Sequence, residues 1–346
     1  MDSAAVYKKK IRRQVMKISI SLISFYVVYF IAVVASIIIY MIASGLMAEL
    51  LNSSGAGTAE IIDGVSMGWL SIVALFVGSF MMLIVRGKRL YTQDLTKTSS
   101  KIHIPDFFKM TAIILGINAV VTLIGYIFVL FLESRGFSMS SEDPITTNMM
   151  DFSGLLYVVI LGPILEEIIF RGAILRSLEQ FGQNFAIVVS SLAFGLYHLM
   201  LFQGVFAFFI GFVLGYCAIR FSIKWSMLLH MINNGFAMAL AYINAGTLIE
   251  ICVLLLMLVL GVTSLLIGFK KIKLQLRTGK PTDLYFVSGI PIVPYYLSPT
   301  DPRIAPYIGH AMSIKAKPYR LAFSSAWLII ALTLASLFTL LGTFVL

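Results

Sequence analysis

A helix needs about 20 mainly apolar residues to cross the hydrocarbon core of a bilayer. This chain offers nine such runs, at 17–43, 67–86, 108–132, 153–175, 185–200, 204–219, 225–243, 247–269 and 321–346. Hydrocarbon cannot satisfy backbone N–H and C=O groups, so runs of this length must close their hydrogen bonds internally as helices. The expected fold class is all-α, a polytopic helical membrane protein with eight or nine transmembrane helices. Composition agrees, because 59% of the residues are hydrophobic and only 12% charged. Soluble domains carry roughly a quarter charged residues. A cytosolic globular enzyme and a disordered chain are thereby excluded. The two cysteines, Cys217 and Cys252, both sit in apolar runs, so no disulfide framework or cysteine-based zinc site is available. The first run is too long for a cleaved signal peptide and lacks a small-residue cleavage pattern, and we read it as a retained anchor.

Lysine and arginine set the expected orientation. Lys8, Lys9, Lys10, Arg12, Arg13 and Lys17 precede the first span, and the 44–66 loop has none. The 86–109 loop carries Arg86, Lys88, Arg89, Lys97, Lys101 and Lys109, whereas 133–152 has only Arg135 among four acidic residues. Arg176, Arg220, Lys224 and the group from Lys270 to Lys280 return to the first side if every span crosses. The reading is a multi-pass cell-membrane protein with a cytoplasmic N-terminus. Its net charge of +10 then reflects topology and attraction to anionic lipid, and no nucleic-acid partner is expected. The chain divides into N-terminal spans and loops over 1–149, a polar-motif core over 150–245, a further span over 246–269, a loop over 270–320 and a last span over 321–346. The 270–320 loop is basic and rich in proline and tyrosine. It is expected to be irregular, serving as a docking surface for a protein partner or as a tether for the last span.

Two patterns carry little. Gly64-Val-Ser66-Met-Gly68 matches a nucleophile elbow but lacks the strand-to-helix context that such an elbow requires. Gly211 and Gly215 match G-x-x-x-G, which reads as close helix packing.

The informative residues are those that the bilayer should exclude. A charge at the bilayer centre costs roughly 2.5–3.5 kcal/mol on insertion scales. Yet the fourth span contains Glu166, Glu167 and Arg171 after Pro163, the fifth ends in Phe194-x-x-x-His198, and the seventh contains His230-x-x-x-Asn234. Glu167 and Arg171 are i, i+4 and are expected to pair. Glu166 is turned about 100° away and has no built-in partner. His230 and Asn234 share a face, Phe194 can pack under the His198 ring, and Pro163 should loosen the helix just before the carboxylates. The fourth and fifth spans form a hairpin through Gly182, which places Glu166 and His198 at equal depth, about 24 Å from the turn. His230 lies only about 9 Å beyond Lys224. Convergence therefore requires a buried 200–204 turn or a far-projecting hairpin tip.

An unpaired carboxylate, two imidazoles and a carboxamide can support hydrolysis. In a dry pocket a carboxylate is a stronger base, so Glu166 with His198 can hold and deprotonate a water. His230 and Asn234 can donate to a developing oxyanion, a contact worth about 3–4 kcal/mol. The same Glu166, His198 and His230 suit a hydrolytic zinc with an open position. A buried network that only fixes helix packing, and a proton or ion pathway, also use such residues.

Glu166-Glu167-x-x-x-Arg171, Phe194-x-x-x-His198 and His230-x-x-x-Asn234, in that order on successive spans, resemble the CAAX protease and bacteriocin-processing family, also called the Abi family. The resemblance covers roughly residues 150–245. It implies a glutamic-type intramembrane endopeptidase in which Glu166 and His198 activate water and His230 and Asn234 form the oxyanion site. Glu167, Arg171 and Phe194 organise that site, and no cofactor is required. It also implies a membrane-associated, possibly lipidated, peptide or protein as substrate. The cavity is expected to be water-filled and open toward the cytoplasm. The competing readings are a non-catalytic membrane regulator or bacteriocin self-immunity protein, and a proton-coupled transporter.

Overall fold

The computed structural model describes residues 3–54, 69, 72–73, 75–77, 80, 87–136, 151–198, 200–243, 247–278, 285–287 and 290–292. The expected span at 321–346 lies outside them, as do most of 67–86, the Gly64–Gly68 pattern and most of the 270–320 loop.

Seven helical runs, with a short π turn at Leu90–Asp94, make up most of the described fold. They are α1 (Ser3–Ser54), α2 (Ile104–Ser134), α3 (152–181), α4 (Gln183–Tyr197), α5 (Leu201–Arg220), α6 (Ile223–Ile243) and α7 (Thr247–Thr278). Five of them, α1, α2, α5, α6 and α7, are long and apolar enough to cross a membrane. The protein is an all-α multi-pass membrane protein. Large apolar side chains such as Ile127 and Leu130 on α2 and Leu248 and Val259 on α7 remain exposed, as expected of a lipid-facing surface. A two-stranded antiparallel ribbon, β1 (Tyr285–Val287) and β2 (Ile290–Ile292), occupies part of the segment expected to be irregular.

The first helix illustrates how patterning fixes packing. Ile11, Val15, Ile18, Leu22 and Phe25 recur at helical spacing and are all buried against the core. Lys9, Lys10, Arg12, Arg13 and Lys17, on the other faces, are exposed. The helix continues to Ser54, past the expected end at 43.

Elsewhere the helices approach at small residues. A Cβ on Gly116 of α2 would stand 2.7 Å from Gly261 Cα of α7, and one on Gly211 of α5 would stand 2.8 Å from Ser191 Cβ of α4. The Gly211/Gly215 pattern is therefore a packing feature, as read from the sequence.

One end of the bundle is fastened by polar contacts. Lys97 pairs with Glu179 at 3.1 Å, Arg176 pairs with the same carboxylate at 2.9 Å, and Arg176 also donates to the Ala218 carbonyl at 2.8 Å. Thr98 bridges Ser222, and Ser99 N–H donates to the Phe221 carbonyl at 2.9 Å. The start of α2, the tip of the α3–α4 hairpin and the α5–α6 corner thus meet at one level, where Arg220 and Lys224 also lie.

Candidate functional site

The helix that carries the acidic doublet is not regular. Within α3, the turns Leu156–Leu161 and Ile168–Leu175 are π-helical and flank the α-helical Gly162–Glu167. Gly162 N–H reaches back to the Tyr157 carbonyl, and a Cβ at 162 would lie 2.8 Å from that oxygen. Pro163 has no N–H to continue the α pattern, so the sequence Gly162-Pro163 admits the widened turn. Such π turns are frequent at functional sites. The Ser190 hydroxyl of α4 donates to the Phe170 carbonyl at 2.8 Å, satisfying an acceptor within the second π turn.

The two glutamates then separate by role. Glu167 is fully buried and fully engaged. Arg171 Nη1 lies 2.8 Å from its Oε1, His230 Nδ1 lies 3.2 Å from the same oxygen, and the Ser226 hydroxyl donates to its Oε2. Arg171 also reaches the Gly211 carbonyl at 3.4 Å and lies 4.3 Å over the Phe194 ring. This is the pairing that the i, i+4 spacing predicts. Glu166 points instead into a cavity of about 700 Å³, and its nearest ionic neighbour is His230 Nε2 at 3.7 Å. The cavity is also lined by His198, His230, Asn233 and Asn234. Three helices therefore bring the predicted polar residues to one void. Phe194 sits beneath both imidazoles, with ring centroids 4.9 Å from His198 and 5.5 Å from His230.

The short α4 settles the depth conflict. Its 15 residues extend about 22 Å, less than the roughly 30 Å hydrocarbon core. The chain leaves the helix at His198, which is extended at φ −81 and ψ 96. Gly195 and Gly204 then pack backbone to backbone, a Cβ on Gly204 coming within 2.8 Å of the Gly195 carbonyl oxygen. Nonhelical backbone at membrane depth is tolerated where it lines a cavity, and His198, Met200 and Gln203 all do so. After α4 the chain returns as α5, and His198 lines the same cavity as Glu166.

Four polar contributors were not anticipated. Asn233, beside the predicted Asn234, is buried, lines the cavity and donates to Asn234 Oδ1 at 3.1 Å, while Asn234 donates to the Val158 carbonyl at 2.9 Å. Ser226 lies one turn before His230, so the face 226, 230, 233–234 was readable from helical spacing. Tyr26 of α1 and Asn118 of α2 face the same cavity from outside the motif region. Neither is charged, so neither raises a signal in an apolar span.

Two expectations need revision. Among the described residues no three His, Cys, Asp or Glu side chains form a group able to hold a metal ion. Glu166, His198 and His230 do not fit a zinc ligand set in this arrangement, and no step is routed through one. The cavity also opens away from the basic end of the bundle. Its floor is the buried set Glu166, His230, Asn233 and Ile210, whereas Tyr126, Gln203, Ala237 and Ala241 at its rim are exposed. These rim residues lie late on α2, early on α5 and late on α6, opposite Lys97, Arg176 and Arg220. The sequence reading had placed the opening and the basic loops on one side.

Residues 148–236 match a protein-family model described as Rce1-like, type II CAAX prenyl endopeptidase Rce1-like. No curated protein and no solved structure matches the chain.

Proposed function

We propose, from the match of residues 148–236 to the Rce1-like family model, that the protein is a glutamic-type intramembrane endopeptidase acting on membrane-associated peptides. The observation that carries this reading is the division of labour in the doublet. Glu167 is consumed by Arg171, Ser226 and His230, while Glu166 alone presents its carboxylate to the cavity.

In the proposed reaction a water between Glu166 and His198 loses a proton to the carboxylate and attacks the scissile carbonyl. Glu167 grips His230 from behind, and the Val158 carbonyl fixes the Asn234 carboxamide. The Asn234 carboxamide, and His230 in its doubly protonated form, are thereby preoriented as donors to the tetrahedral oxyanion, so little reorganisation accompanies charge development. The proton held by Glu166 passes to the leaving nitrogen, which completes hydrolysis without a covalent enzyme intermediate. Phe194 and the aromatic lining restrict water to the reacting position.

Glu166→Gln is the direct test. Its side chain forms no short hydrogen bond among the described residues, so the variant should insert and melt like the wild type while cleavage of membrane peptides falls by several orders of magnitude. Full cleavage by the purified variant would overturn the assignment. Cleavage that is lost on chelation and restored by zinc would overturn the metal-independent route.

A further inference from the structure

The catalytic floor uses only part of the cavity. Across from it stands a wall built by helices outside the family segment. The Tyr26 hydroxyl of α1 is buried there and has no hydrogen-bond partner among the described residues. On α2, the Thr122 hydroxyl donates to Asn118 Oδ1 at 3.2 Å, leaving the Asn118 amide N–H groups for the void. The Asn233 Oδ1 atom on α6 is likewise buried without a partner. A buried polar atom without a partner is expensive; Tyr26 and Asn233 each present one to the void beside Glu166, and Asn118 lines it with them. They offer two kinds of donor and an acceptor, which is the complement of a peptide backbone.

The lining carries no lysine or arginine among the described residues, since Arg171 is locked beneath the floor on Glu167. A terminal carboxylate brought here would find no permanent cation in the lining, only the His198 and His230 imidazoles, so its burial is disfavoured relative to a neutral amide. The chain segments 55–85 and 137–150 contain no lysine or arginine either. The side of a membrane protein poor in lysine and arginine is the noncytoplasmic one. The rim residues Tyr126, Gln203, Ala237 and Ala241 lie at the end of the bundle remote from its basic cluster.

We propose that the cavity admits its substrate from the noncytoplasmic side and binds an uncharged internal stretch of polypeptide through its backbone amides, not a free C-terminus. This rests on the protease reading and deepens it. Tyr26 and Asn118 bind donor-seeking carbonyls, and Asn233 accepts a backbone N–H, so that an internal carbonyl is laid against Glu166.

Labelling separates this proposal from the chemistry. In a Cys252→Ser background, Ala241→Cys places a thiol on the rim. A membrane-impermeant maleimide should label it in intact cells. Labelling only after permeabilisation overturns the sidedness. In the same protein carrying Glu166→Gln, which removes turnover, a short uncharged apolar peptide should slow labelling. The peptide as its C-terminal amide should act at concentrations at least tenfold lower than the free acid, and Asn118→Ala should weaken that protection about tenfold. Equal or stronger protection by the free acid, or no protection by either form, overturns the substrate class. Protection without cleavage by the wild type would instead sink the protease reading and leave this one standing.

Discussion

Replacing Arg171 with methionine is the sharpest probe of how the site is held together. The guanidinium is fully buried, 2.8 Å from Glu167, 3.4 Å from the Gly211 carbonyl and 4.3 Å over the Phe194 ring. Methionine fills much of the same volume but leaves Glu167 charged in the interior with only Ser226 and His230. Removing one partner of a buried pair costs about 3–5 kcal/mol, mostly because the other charge is stranded. Loss of the desolvated ring contact adds up to about 2 kcal/mol. Thermal unfolding in detergent should therefore show Arg171→Met melting far below the wild type. The double variant Glu167→Gln/Arg171→Met removes both charges and should recover most of the lost stability, since a neutralised pair of similar volume is often nearly neutral. It should not recover cleavage, because His230 Nδ1 loses its carboxylate. If the double variant melts as low as the single one, or if the single one melts like the wild type, the claim that Arg171 acts by neutralising Glu167 is wrong.

Two other perturbations test the scaffold. Gly116→Ala should destabilise by about 1–3 kcal/mol through overpacking, because its methyl would lie 2.7 Å from Gly261 Cα. A melting temperature unchanged by this substitution would mean that α2 and α7 do not cross there. Glu179 at the hairpin tip responds to pH. Burial alone would raise its pKa, but Arg176 and then Lys97 outweigh burial and hold it below the ordinary carboxylate value. A depressed folded-state pKa stabilises the protein above the unfolded value, and that stabilisation disappears as pH falls through the folded one. The melting temperature should thus fall on acidification below about pH 4. Glu179→Gln should flatten that limb, and an unchanged acid limb would contradict it.

The sequence displays most of the catalytic floor because lipid makes charge conspicuous. Glu166, Glu167, Arg171, His198 and His230 stand out in apolar runs, and helical spacing alone assigns Arg171 to Glu167 and leaves Glu166 unpaired. The same logic is silent on Tyr26, Asn118 and Asn233, whose neutral side chains blend into a span. It also cannot choose between Asn233 and Asn234, since a turn of 3.6 residues places either beneath His230. The π turns of α3 depend on a Gly-Pro step combined with packing from α4 and α6, which only the assembled bundle supplies. Counting apolar residues gave α4 a full span. The helix instead stops at Tyr197, because Gly195 and Gly204 let the following chain fold back into a cavity.

Ion pairs and a backbone bridge tie Lys97, Arg176, Glu179 and Ser222 together at one end of the bundle, while the opposite end surrounds the rim. Any opening of the rim should therefore pivot about this fastened end. The ends of α2, α5 and α6 at the rim would then move most, and Glu166 and His230, seated closer to the fastened end, least.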